Sequence, residues 1–294
     1  MAQPTSTEQQ GWTIGRLLDW TAGHLAKKGS EYPRLDAEVL LAHALGCRRI
    51  DLYTRYTDAA PEDARQRFRE LVRQRLGGCP VAYLVGRKEF FSLPFEVTPA
   101  VLIPRPETEF VVLECLRLAK EMAEPRVLDL GTGSGNIAVA VAQQHKTARL
   151  TAVDRSPDAL AVAARNAVKH GVADRISFLE GDLFGPLPSA AQFDFILSNP
   201  PYIPHEDLDK LPEGVRHYEP ALALDGGPGG FETVDRLLAG AGRYLVSGGH
   251  LIIEIGTPQH EPARQRFTSH PEFVLADTIY DGSRHPRVLR ACKR

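Results

Sequence analysis

The segment from Phe193 to Pro204, FDFILSNPPYIP, sets an amide, two prolines and an aromatic ring directly after an apolar run. Consecutive prolines cannot donate to a sheet ladder, so a strand has to end at Ser198-Asn199. Asn199, Pro200, Pro201 and Tyr202 then offer a side-chain oxygen, stiff backbone carbonyls and a ring at a strand's carboxyl end. That set suits a planar –NH2 group, with the Asn199 oxygen and the Pro200 carbonyl accepting its N–H bonds and Tyr202 covering its flat face. A second constellation lies upstream, where RVLDL runs into Gly131-Thr132-Gly133-Ser134-Gly135-Asn136 and a helical pattern. Glycines allow a sharp turn and close approach of a ligand, and the helix start beyond offers free N–H groups to negative charge. Asp154 ends the next strand 19 residues after Gly135, where an acidic side chain can accept from both hydroxyls of a ribose. The spacing is not G-x-G-x-x-G, and the Lys-Ser/Thr of a P-loop is missing, which disfavours dinucleotides and nucleoside triphosphates. Taken singly, N-P-P is a turn and a glycine loop a tight connection; their order along one segment favours a site.

The elements that must position these residues alternate from about residue 106 onward. Strands RVLDL, RLTAVD, ISFLEGD, FDFILSN and GHLIIEIG are separated by helical stretches, which implies a parallel sheet covered on both faces. In SPDALAVAARNAVKHG, Ser156 reads as an N-cap, Pro157 as the first helical residue and Gly171 as the stop. FVLADTIYD and PRVLRACK are expected to pair as antiparallel closing strands. The first 80 residues read as helices only: Trp12, Leu17, Leu18 and Leu25 share a helical face, Pro33 and Pro61 mark starts, and Gly29, Gly46 and Gly77 mark ends. Residues 81–105 change to β-rich runs and turn formers, expected as strand, turn, strand. The reading is therefore a helical bundle over 1–80, which would dock the substrate, a connector over 81–105 and an α/β domain over 106–294.

The composition adds limits. With 294 residues, 43% hydrophobic and 24% charged, the chain can bury a substantial core. A net charge of −2 gives no whole-protein footprint for nucleic acid. Cys47, Cys79, Cys115 and Cys292 are scattered, so neither a metal site nor a disulfide framework is expected, and a reducing cytoplasm fits. The polar opening MAQPTSTEQQ reads as a frayed tail without a signal-peptide core, and no apolar run spans a membrane. His205 and His217 lack ligand spacing. Arg65, Arg67, Arg69, Arg73 and Arg75 on one helix read as a solvated face with intrahelical ion pairs, or more sharply as a docking patch.

The form D-L-G-T-G-S-G resembles motif I of class I S-adenosylmethionine-dependent methyltransferases, and N-P-P-Y resembles the motif of N-methyltransferases acting on adenine, cytosine or glutamine nitrogens. PVAYLVGRKEFFSLPFEV, VLIPRPETE, SNPPYIP, YEPALALDGG, IEIGTPQ and DGSRHPRV together are similar to the peptide chain release factor glutamine N5-methyltransferase family (HemK/PrmC) over nearly the whole chain. The resemblance implies a Rossmann-like, mostly parallel seven-stranded sheet with an antiparallel closing strand, plus a small N-terminal helical bundle. It implies S-adenosyl-L-methionine as cofactor and the glutamine of the Gly-Gly-Gln motif of class 1 release factors as substrate. Gly131, Thr132, Gly133, Ser134, Gly135, Asp154, Asp182, Leu183 and Asn199 would line the cofactor site, with Arg105, Pro106, Glu107 and Thr108 covering it. Arg105 reads equally as a surface ion pair, Glu107 and Thr108 equally as a helix cap, and Phe184 equally as core. Asn199, Pro200, Pro201 and Tyr202 would form the glutamine pocket, with Asn199, Pro200 and Tyr202 at the chemistry. GGPGGFE departs from the family, which often carries Asp before the last Gly. Nothing in the sequence demands more than a monomer, and no membrane or direct nucleic-acid partner is expected. Two rivals stand beside this reading: a nucleic-acid amino-methyltransferase that flips its base into the same pocket, and a cofactor-binding scaffold without catalysis.

Overall fold

The computed structural model describes residues 11–294; the segment 1–10, read above as a tail, lies outside the described residues. The chain divides into two compact units, one ending at Gly86 and the other running from Arg87 to Arg294.

The first unit holds α1 (Ile14–Lys27), α2 (Pro33–Leu45), α3 (Arg49–Thr54), α4 (Glu62–Leu76) and α5 (Val81–Val85). Local chemistry sets their ends. Thr13 caps α1 by accepting from the Arg16 N–H, and Gly46 closes α2 in the left-handed conformation. Glu62 and Asp63 sit at the positive end of α4, with Arg73 and Arg75 in its last turn. Ile14, Leu18, Leu40, Leu41, Leu52 and Phe68 form the core between them. Two expectations are corrected here. Trp12 lies ahead of α1 and is 44% exposed, so it is not part of that helix's apolar face. Val81–Val85, expected within a β-rich connector, is a helix whose Val81, Leu84 and Val85 pack on the bundle core. A five-residue apolar run has too few residues to show a period, and packing on the bundle decides its form.

The second unit opens with a hairpin, β1 (Arg87–Phe90) and β2 (Leu93–Glu96), whose two loop residues Phe91 and Ser92 both have positive φ, as primed hairpin turns require. The chain continues through α6 (Glu109–Ala119), β3 (Arg126–Leu130), α7 (Asn136–Gln144), β4 (Arg149–Asp154), α8 (Pro157–Lys169), β5 (Ile176–Glu180) and β6 (Phe193–Ser198). It ends with α9 (Glu213–Arg216), α10 (Glu232–Tyr244), β7 (Leu245–Glu254), α11 (His260–Ser269), β8 (Phe273–Leu275), β9 (Ile279–Tyr280) and β10 (Pro286–Lys293). The sheet order is β5-β4-β3-β6-β7-β10-β8, with β9 also on β10. The first five strands are parallel and β10 is antiparallel to β7; β8 and β9 each run antiparallel to β10, so the closing pair forms as expected. The outermost position is split: β9 pairs at Pro286 and Val288, and β8 at Ala291 to Lys293. Eight strands thus occupy seven positions.

Successive strand residues serve opposite cores, because side chains alternate across a sheet. Val127, Phe195 and Ile252 face one core with α6 and α7, whereas Leu128, Ile196 and Ile253 face the other with α10 and α11. The strand order reverses between β3 and β6, the switch point where open α/β sheets bind ligands. Leu130 pairs with Ser198 there, so Gly131 and Asn199 leave the sheet side by side. Among the described residues no helix is long and apolar enough to cross a membrane.

Candidate active site

The glycine loop is built by backbone geometry. Gly131 and Gly133 have φ of 73° and 56°, and no atom lies within 4 Å of a Cβ placed on either. Side chains there would be strained and would project into the cavity. Gly135 differs: a Cβ on it meets Ala163 at 3.1 Å, so this glycine lets α8 pack against the loop. The loop is anchored below by N–H bonds from Gly131 and Thr132 to the Val153 carbonyl, 2.9 and 3.0 Å. Asp154 braces it from the side, accepting from the Gly133 N–H at 2.8 Å and the Ser156 N–H at 3.0 Å. Beneath it, fully buried Asp129 accepts from the Thr132 hydroxyl at 2.6 Å and the Ala138 N–H at 3.2 Å. Burial pushes the Asp129 carboxyl up to about 7, with the nearby Asp154 charge adding to the rise. Buried Asn166 staples the β1–β2 hairpin to this loop, donating to the Glu96 and Ser134 carbonyls and accepting from the Glu96 N–H.

One cavity runs from this loop to the end of β6, lined by Gly131, Gly133, Asp154, Asp182, Leu183 and Asn199. Leu183 holds a positive φ of 48° at its rim, and Asp182 is ion-paired to Arg236 at 2.5 Å. Phe184 stacks on Tyr244 at 5.2 Å and belongs to the core.

The other end is made of side chains from distant segments. The Asn199 amide donates to the Thr108 hydroxyl at 3.0 Å, and that hydroxyl donates to Glu254 at 2.6 Å. The Tyr202 hydroxyl donates to the second oxygen of the same carboxylate, 3.3 Å away. Glu254 is 2% exposed, and burial pushes its carboxyl up to about 7. Burial also raises the Tyr202 phenol, with the Glu254 charge next in effect. Thr108 is thus no cap: it precedes α6 but makes no side-chain cap bond, because its hydroxyl is used in this chain.

A third contact spans the cavity wall. Arg105 donates to Glu219 at 2.5 Å, and the same carboxylate accepts from the Ile103 N–H at 3.3 Å. Glu219 is buried and Arg105 partly exposed, so this ion pair is internal on its acid side. It ties the 100–105 segment to the 220–223 segment, both of which line the cavity.

Of the residues singled out from sequence, Arg105, Thr108, Gly131, Thr132, Gly133, Ser134, Asp154, Asp182, Leu183, Asn199 and Pro201 line this one cavity. Gly135, Pro200 and Tyr202 are not among its lining residues; Tyr202 turns its hydroxyl toward buried Glu254. Glu107 stands 3.5 Å from Arg287 instead of over the cavity. Sequence reasoning missed Glu254, Glu219 and Asp129 as site residues. Glu254 carried a usable signal: an acid inside the apolar run LIIEIG, at the sheet edge where ligands bind.

In the helical unit, the arginine reading resolves residue by residue. Arg65 pairs with Glu62, Arg67 with Asp63, Arg73 with Glu70 and Arg75 with Asp36. Arg69 makes no ion pair among the described residues and borders a groove between α1 and α4 that contains Trp20, His24, Phe68 and Val72. His205 pairs with Asp225 at the surface.

Residues 16–86 match the family model of the PrmC N-terminal domain, and residues 109–213 that of the methyltransferase small domain. The chain is 50% identical to the release factor glutamine methyltransferase of Rhodopirellula baltica over 95% of each chain. It is 46% identical to that of Geobacter sulfurreducens over 95% of this chain and 96% of the relative. Among solved structures, a methyltransferase from Pyrococcus furiosus shares the fold with a TM-score of 0.51 and 19% identity, over 70% of this chain and 91% of that one. Motifs, sheet order and this similarity along almost the full length agree: the chain belongs to the release factor glutamine methyltransferase family.

Proposed function

We propose that this protein methylates the side-chain amide nitrogen of the Gly-Gly-Gln glutamine in class 1 release factors. S-adenosylmethionine would be the methyl donor and N5-methylglutamine the product. The observation that carries this reading is the single cavity joining the open backbone of Gly131 and Gly133 to the Asn199 amide. The residues present fit such a cofactor: bare backbone for close approach, and the Asp154 carboxylate at the end of β4 for ribose hydroxyls.

When bound, S-adenosylmethionine supplies a methyl group on a positively charged sulfur, whose carbon–sulfur bond breaks with the electron pair retained by sulfur. The glutamine nitrogen takes that methyl and gives up one N–H proton to water. Its lone pair is delocalised into the carbonyl, so it is a weak nucleophile and has to be held and aimed. The Asn199 side-chain oxygen makes no hydrogen bond among the described residues, and it serves as the acceptor for one glutamine N–H. The other goes to the backbone carbonyl of Pro200, which stands between the cavity-lining Asn199 and Pro201 on a chain stiffened by two prolines. Acceptors fixed before the substrate arrives reorganise little as charge develops on the nitrogen.

The helical unit docks the factor, with the Arg69-bordered groove between α1 and α4 as the surface that supports this role. A substrate of the translation machinery places the enzyme in the cytoplasm. Transfer of label from S-adenosylmethionine to a purified class 1 release factor tests the reading. Label is expected on the Gly-Gly-Gln glutamine, absent when that residue is alanine, and weaker in kcat/KM on a short Gly-Gly-Gln peptide. No label on the factor, with label on DNA or RNA instead, would overturn it.

A further inference from the structure

Buried Thr108 and Glu254 and partly buried Tyr202 form one chain of hydrogen bonds behind Asn199, whose direction is fixed by proton count. Glu254, when ionised, only accepts; it takes the Thr108 hydroxyl on one oxygen at 2.6 Å and the Tyr202 hydroxyl on the other at 3.3 Å. The Thr108 hydroxyl has a single proton. Having given it to Glu254, it can only accept from Asn199, so the –NH2 end of that amide must face Thr108, 3.0 Å away. The carbonyl end then faces away from Thr108. An amide flipped the other way would present its own –NH2 to the substrate –NH2, donor against donor.

We propose that Thr108 and Glu254 are positioning residues that set the orientation of the Asn199 amide, and that they thereby make Asn199 an acceptor for the substrate nitrogen. This rests on the glutamine reading above and adds to it a device that runs from the cavity wall at Thr108 to buried Glu254. Both residues are almost without exposure, at 1% and 2%, so water does not replace either contact. They come from the segment before α6 and from the end of β7, and neither is adjacent to Asn199 in sequence.

Protonation of Glu254 reverses the logic. A protonated carboxyl can donate to Thr108, which then donates to the Asn199 oxygen and turns the amide over. The groups acting on Glu254 are Thr108, Tyr202, Glu107 from the same segment as Thr108, and Arg287 from β10; Arg105 and Arg287 in turn act on Tyr202. Glu107 raises the carboxyl and Arg287 lowers it, but burial dominates and leaves it at about 7. The acceptor orientation therefore exists above that pH and is lost below it.

The test uses the full-length enzyme and an intact release factor, with kcat and KM measured from about pH 5.5 to 8.5 and cofactor affinity measured alongside. In the wild type, kcat should fall on the acid side through about pH 7. Thr108→Val should lower kcat on the order of 10²-fold and erase that acid limb, with cofactor affinity retained. Thr108→Ser should restore both. Glu254→Gln, which cannot titrate, should also remove the acid limb, and this arm stands even if Thr108→Val fails to fold. An acid limb of unchanged midpoint in Glu254→Gln, or a Thr108→Val enzyme with the wild-type kcat and profile, would overturn the relay alone. Absence of glutamine methylation by the wild type would overturn the glutamine reading and the relay together.

Discussion

The two ends of the cavity are built by different means. At the glycine loop, the contacts are short in sequence: Thr132 to Asp129 spans 3 residues, Ala138 to Asp129 spans 9 and Gly133 to Asp154 spans 21. Most of its hydrogen-bonding groups are backbone N–H groups. At Asn199 the contacts are side chain to side chain and distant, spanning 91 residues to Thr108 and 146 from Thr108 to Glu254. The Arg105–Glu219 pair beside it spans 114. A binding cradle needs only a turn of defined shape, which a few consecutive residues can encode. A positioned amide needs its rotation fixed, and that takes partners arriving from other strands. The difference teaches where each type of defect should appear: affinity at one end, turnover at the other.

Asn199→Ala should give the largest effect, a drop in kcat of about 10²–10³-fold, the size seen when one group that stabilises a transition state is removed. Cofactor affinity, followed by calorimetry, should change only slightly. A variant that loses affinity while keeping turnover would erase the distinction between the ends. Asp154→Ala should do the opposite. Losing charge-assisted hydrogen bonds of about 1.5–3 kcal/mol weakens cofactor binding about 10- to 100-fold, while kcat at saturation stays close to wild type. A fall in saturated kcat as large as that of Asn199→Ala would show that the ends are coupled. The smallest effect is on stability. Arg105→Ala leaves the buried Glu219 carboxylate without its cation. Complete burial of both partners would cost about 3–5 kcal/mol; with Arg105 side-chain exposure at 31%, a loss of about 1–2 kcal/mol in urea unfolding is expected. The double variant Arg105→Met with Glu219→Leu should recover most of it. Equal destabilisation in the double variant would assign the loss to packing rather than charge.

Much of the fold was legible because its signals are local. Ser156 caps α8 through the Ala159 N–H and Pro157 begins that helix, both as their positions in the sequence imply. The double proline ends β6 at Ser198, and the closing strands pair as their apolar runs suggest. The glycine loop was legible for the same reason: its geometry is a property of consecutive residues. Val81–Val85 was not, since a run so short takes its form from the surface it packs on. Thr108 was read as a cover of the cofactor site or as a helix cap; it lines the cavity but makes no cap bond, because a carboxylate 146 residues away takes its proton.

By itself, then, the sequence determined the two building plans, the parallel sheet implied by alternation, the glycine cradle and the strand end that carries Asn199. Each depends on backbone stereochemistry or on periodicity, which act over a few residues. Only the tertiary structure decided that Tyr202 turns toward Glu254, that Glu219 is the partner of Arg105, and that Thr108 stands between Asn199 and a buried acid. Those contacts depend on which strand lies beside which and on what is left without water. A buried carboxylate must find donors wherever the fold has brought them, and sequence distance places no limit on where they come from.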